Sequence, residues 1–114
     1  MNSIPGIDMA EGLKRAGHQH ALYMRFLKRF PADPTFYLLC HALEASRLHD
    51  AFLYAHTLKG LTAQLGIFSL HAPLCNLCDT LRSENPNARL IANEYLCAIQ
   101  PVYDEIIHQL SEVP

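Results

Sequence analysis

Apolar residues recur every three or four positions along most of this chain, and no segment alternates apolar and polar residues over the length of a strand. The pattern predicts helices alone. Breaks fall at Pro5-Gly6, Gly17, Pro31 and Pro34, Gly66, Pro73 and Asn85-Pro86-Asn87, with good helix formers between them. A first helix is expected over 8–16, capped by Asp8 and closed by Gly17, and a second over 19–30 with Leu22, Phe26, Leu27 and Phe30 on one stripe. Asp33 caps a third over 34–47, where Pro34 takes the first helical position and Phe36, Leu39, Leu43 and Leu48 form a face. The fourth runs over 49–66. A fifth over 69–83 spaces Leu70, Leu74, Leu77 and Leu81 four, three and four residues apart, with an irregular first turn at Pro73. The sixth, over 87–111, carries Leu90/Ile91, Tyr95, Ile99, Val102, Ile106 and Leu110, with a kink expected at Pro101. Four longer helices with short connections predict an all-α fold, an antiparallel up-down four-helix bundle with additional N-terminal helices over one side or end.

At 114 residues, half of them apolar and 18% charged, the sequence reads as a single domain over 1–114 with a core of its own. Nine Lys and Arg are scattered among eleven Asp and Glu, giving a net charge of -2 and no basic stripe for nucleic acid. Nor is there a run of the roughly 18 apolar residues that cross a bilayer, or a leader-like first segment. A monomeric cytoplasmic module is the expectation. The four cysteines, Cys40, Cys75, Cys78 and Cys97, are then reduced thiols, since a chain of this apolar content builds a core without disulfides.

The fourth helix carries the chemistry. At about 100° per residue, Ala51, Ala55, Leu58, Thr62 and Leu65 share the buried side, which turns His56 outward beside Phe52, Leu53, Lys59, Gly60 and Ala63. One imidazole and one ammonium thus stand among apolar and very small residues. A glycine inside a helix costs about 1 kcal/mol relative to alanine, and no bend in the pattern calls for Gly60. Its missing side chain leaves room beside His56 for another protein's backbone or a phosphoryl group. Lys59, three residues on, is placed to neutralise oxygens on a phosphorylated imidazole. Neutral imidazole is a nucleophile near pH 7, and its bond to phosphorus is labile enough to pass the group on.

His56-x-Leu58-Lys59-Gly60, followed by Gly66, resembles the motif of histidine phosphotransfer domains, which shuttle phosphoryl groups in multistep two-component signalling. The likeness extends to Ile4-Pro5-Gly6-Ile7-Asp8 with Leu13, to the Leu22-Tyr23-x-x-Phe26-Leu27-x-x-Phe30 helix, and to the Leu-rich helix after Gly66. The resemblance implies that His56 is the phosphoacceptor, Lys59 the phosphate stabiliser, and Gly60 the residue that admits a receiver domain. It implies as partner the receiver of a response regulator or hybrid sensor histidine kinase. The Mg²⁺ belongs to that receiver, and this chain needs no cofactor. Phe52, Leu53, Ala63 and Gln64 fall to the docking surface, joined by Cys78 and Arg82 on the next helix. Family members often carry Glu or Gln at the position of Cys78, where it hydrogen-bonds the active histidine, and a small or hydroxyl residue at that of Leu61; this chain departs from both patterns. The resemblance also allows the module to be the cytoplasmic part of a membrane sensor kinase.

Two other readings are open. Taken as an isolated pair, His56 and Lys59 fit a solvated face of an unphosphorylated interaction module, a reading against which Gly60, Gly66 and the surrounding helices count. His71, Cys75 and Cys78 follow at i, i+4 and i+7 along the fifth helix, a spacing for a metal or thiol site, although neither a second CxxC nor a His-x3-His pair accompanies them. A kinase reading lacks its parts, since no glycine-rich phosphate loop or metal-binding set for ATP is visible.

Overall fold

The computed structural model describes residues 3–114. These form six helices and no strand: α1 (Met9–Arg15), α2 (His20–Arg29), α3 (Thr35–Glu44), α4 (Leu48–Leu65), α5 (Phe68–Arg82) and α6 (Ala88–Ser111), with a 3₁₀ turn over Phe30–Ala32. The all-helical expectation therefore holds. The molecule measures 46 × 24 × 19 Å; α6, 24 residues long, is about 36 Å in length at 1.5 Å per residue.

Local chemistry sets the helix ends. The Asp8 carboxylate accepts from the Glu11 backbone N–H at 3.0 Å and starts α1, and Gly17, at φ +68°, ends it. Asp33 accepts from Thr35 N–H at 2.8 Å and opens α3, with Pro34 in the capping position just ahead of the first helical residue. Gly66, at φ +74°, closes α4 in the left-handed conformation. The third helix is shorter than expected: Ser46 lies at φ +58° and stops it. Leu48 in consequence begins α4 and does not extend the face of α3. No sequence rule singles out Ser46, because serine seldom adopts this conformation.

Helix α4 packs along α3 and α5, α5 along α6, and α3 also meets α6; α1 and α2 lie against α4, with α2 touching α6 as well. The core runs between them through Leu27, Leu39, Leu43, Leu58, Ile67, Leu70, Leu74, Leu77 and Ile99, all fully buried. Each large apolar side chain buried this way contributes about 1.5–3 kcal/mol. The Phe36 ring stacks on Tyr103 with centroids 3.9 Å apart, joining α3 to α6, and Phe30 meets the same ring edge-on at 5.9 Å.

The stripes differ from expectation at two places. In α2 the buried aromatic is Tyr23, 1% exposed, while Phe26 is 43% exposed; Tyr23 fits because Gly12 of α1 presents no side chain to its ring, where a Cβ would overlap it. In α6, Ile91 is half-buried but Leu90 faces out. Pro101 and Pro73 lie inside α6 and α5, where the pattern placed them.

Candidate functional site

The buried residues of α4 are Ala51, Ala55, Leu58, Thr62 and Leu65. They form the stripe read from the periodicity, and the helix is thereby oriented with His56 exposed near its middle. The Phe52 ring lies one turn back, with centroids 5.9 Å apart and planes inclined at 35°. Phe52 itself is half-buried and packs on the core, so it forms a wall beside the imidazole; Leu53, 48% exposed, is open to solvent.

Lys59 is half-buried, and Gly60 is exposed. A Cβ built on Gly60 would meet nothing within 4 Å, so no packing within the chain requires the glycine. The surface one turn from His56 is bare backbone. Thr62, buried on the opposite side, donates its hydroxyl to the Leu58 and Lys59 carbonyls at 2.8 and 3.1 Å, so its polar group is satisfied without disturbing the face. Ala63 is half-buried and Gln64 exposed. Gln64 opens onto a cleft of about 340 Å³ between α1, α2 and α4, lined also by Arg15, Phe26, Arg29 and Leu61.

The two positions expected from α5 behave differently. Cys78 is 2% exposed and belongs to the core, because the inner stripe of α5 is Leu70, Leu74, Leu77 and Cys78. It lies beneath the surface and is not available for partner contact. Burial pushes its thiol up, and the nearby Lys59 charge works against that shift. Arg82 is exposed, but its guanidinium is engaged by Asp79 at 2.9 Å.

His71 was singled out only as a soft donor, and its observed role is another. Its Nδ1 lies 3.0 Å from the Lys59 carbonyl oxygen, linking α5 to α4 beside the site. Its Nε2 is 3.5 Å from Cys75 Sγ. The local spacing placed His71 and Cys75 on one flank but carried no signal for the contact across to α4. Among the described residues no group of three or more His, Cys, Asp or Glu side chains converges as a metal would require, so Cys78 does not join this pair. All four cysteines are free thiols.

The N-terminal segment is fixed to the end of α4. Asp8 N–H donates to the Gly66 carbonyl at 2.7 Å, and Ile4 and Ile7 are buried. No helix among the described residues is long and apolar enough to cross a membrane. No protein-family model, curated protein or solved structure matches the chain.

Proposed function

We propose that this chain is a histidine phosphotransfer module that receives a phosphoryl group on His56 from a receiver-domain aspartate and gives it to another. The observation that carries the reading is the pairing of an exposed His56 with an exposed helical glycine, Gly60, whose missing side chain serves no packing in the chain. Lys59 between them adds a cation. The contacts of α3 with α4, α4 with α5, α5 with α6 and α6 with α3 support an antiparallel up-down four-helix bundle, against which α1 and α2 are laid.

In the transfer a ring nitrogen of His56 uses its lone pair to attack the phosphorus of the aspartyl phosphate. A nitrogen–phosphorus bond forms, the phosphorus–oxygen bond to the carboxylate breaks, and the carboxylate leaves with the electron pair. The reverse sequence regenerates the imidazole. Lys59 neutralises the phosphoryl oxygens on this side, while the receiver brings the Mg²⁺ and most of the charge stabilisation. Phe52 limits the orientations of the imidazole and so lowers the entropy lost at the encounter. The docked receiver lies over Leu53, Gly60 and Ala63 and reaches Gln64. The module is a carrier without an ATP site, acts as a monomer, and works in the cytoplasm, alone or as part of a sensor kinase.

The test is incubation with a ³²P-phosphorylated receiver, comparing wild type with His56→Gln. Acid-labile, base-stable label on the wild type and none on the variant is expected. Equal labelling of the variant would move the site elsewhere, and no labelling with any of a panel of receivers would leave the unphosphorylated interaction module as the better description.

A further inference from the structure

We infer that Cys75 is a reactive thiol activated by His71, a modification site for hydroperoxides that is separate from the phosphoacceptor. The geometry is that of a nucleophile, a base and an orienting group in series. The Lys59 carbonyl can only accept, so the 3.0 Å contact puts a proton on His71 Nδ1. In the neutral ring this leaves Nε2 with a lone pair, and Cys75 Sγ stands 3.5 Å from it, placed to donate its S–H. The carbonyl thus fixes both the tautomer and the direction of the base, as the third member of a catalytic triad does.

Surroundings favour access from solvent. Cys75 and His71 are each half-buried, so the pair lies at the margin of the core and not within it. Cys78, three residues on, is sealed in the core. On the same helix the Asp79 carboxylate is held by Arg82 at 2.9 Å, and the Lys59 ammonium acts on Cys78. Cys97 provides an internal contrast, being exposed and, among the described residues, without a hydrogen-bonded histidine.

The step is a two-electron oxidation. His71 Nε2 takes the Cys75 proton as the sulfur lone pair attacks one oxygen of the hydroperoxide. A sulfur–oxygen bond forms and the O–O bond breaks. The departing oxygen leaves with the electron pair and takes the proton back from the imidazolium, giving a sulfenic acid on Cys75 and water or an alcohol. Sulfur is oxidised, and the hydroperoxide is reduced.

The full chain is treated with hydrogen peroxide at pH 7 in the presence of dimedone, and adduct formation at each cysteine is followed by mass spectrometry. Exposure alone ranks Cys97 ahead of Cys75. Activation by His71 reverses the order, with Cys75 labelled at least about tenfold faster, and His71→Gln, which keeps a donor for the Lys59 carbonyl but no base, slows Cys75 at least about tenfold while Cys97 is unchanged. Cys97 reacting as fast as Cys75 in the wild type overturns the inference, as does a Cys75 rate unaffected by His71→Gln. New labelling of buried Cys78 would report that the variant is unfolded, in which case the wild-type ratio alone decides.

Discussion

The hydroxyl of Tyr23, in α2, donates a hydrogen bond of 2.7 Å to the carbonyl oxygen of Leu65, the last residue of the helix that carries His56. A tyrosine 1% exposed thereby satisfies both its own polar atom and a carbonyl at a helix end, where no amide of the same helix follows to pair with it. Tyr23→Phe leaves that carbonyl unpaired and is expected to cost about 1–3 kcal/mol in urea unfolding. An unchanged midpoint would mean that the bond contributes nothing.

The same residue gives the fold an alkaline limit. Burial, with the Asp8 carboxylate adding to it, pushes the Tyr23 phenol up from 10.0 to about 12. Between those values the unfolded chain has lost the proton and the folded one retains it. The stabilisation is therefore complete below pH 10 and is lost as pH rises toward 12, a loss of about 2–3 kcal/mol. Stability measured across this range should fall less steeply in Tyr23→Phe than in the wild type; parallel curves would refute the assignment to Tyr23.

Gly66 tests how the N-terminal segment is held. At φ +74° a side chain is strained, and a Cβ here would overlap the Asp8 carbonyl oxygen. Gly66→Ala is expected to lose about 2 kcal/mol or more in urea unfolding. A loss within 0.5 kcal/mol, about the scatter of a surface substitution, would show that the segment yields.

Gly60 should respond in the opposite sense. With open space around it, Gly60→Ala is expected to gain about 0.5–1 kcal/mol. Gly60→Gln should fold at least as well as the wild type yet accept phosphoryl groups more slowly, because in the proposed relay its side chain would stand where the receiver docks. Undiminished transfer by a folded Gly60→Gln protein would remove the reason given for the glycine.

Lys59→Met keeps most of the half-buried stem and removes the charge. Phosphorylation of His56 is expected to slow roughly tenfold to a hundredfold, with the unfolding midpoint changed little. An unaltered rate would assign charge neutralisation wholly to the receiver.

The sequence made the middle of the chain readable because a strong periodicity and a clear stop coincide there. The buried stripe of α4 fixes where His56 points, and Gly66 fixes where the helix ends. Phe26 was put in the core in place of Tyr23 for a different reason: the 3.6-residue repeat in α2 accommodates either, and the close approach allowed by Gly12 selects Tyr23. The end of α3 was hidden because Ser46 adopts a left-handed conformation, closed by Arg47 N–H donating to the Ala42 carbonyl at 2.8 Å, that serine does not favour by itself. Cys78 shows the limit of a helical projection, since a flank position of α5 becomes core once α4 and α6 lie against it. The bond from His71 to Lys59 joins residues twelve apart on two helices, beyond the reach of any single-helix pattern.

The relay is tested most directly by following phosphate out of His56. The chain is phosphorylated with phosphoramidate, freed of donor, mapped by mass spectrometry at neutral pH, and mixed with an unphosphorylated receiver and Mg²⁺. The expected result is phosphate at His56, which then disappears as an equal amount appears on the receiver aspartate. Phosphate confined to another of the seven histidines, or a His56 phosphate that decays only to free phosphate with every receiver of a broad panel, would contradict it.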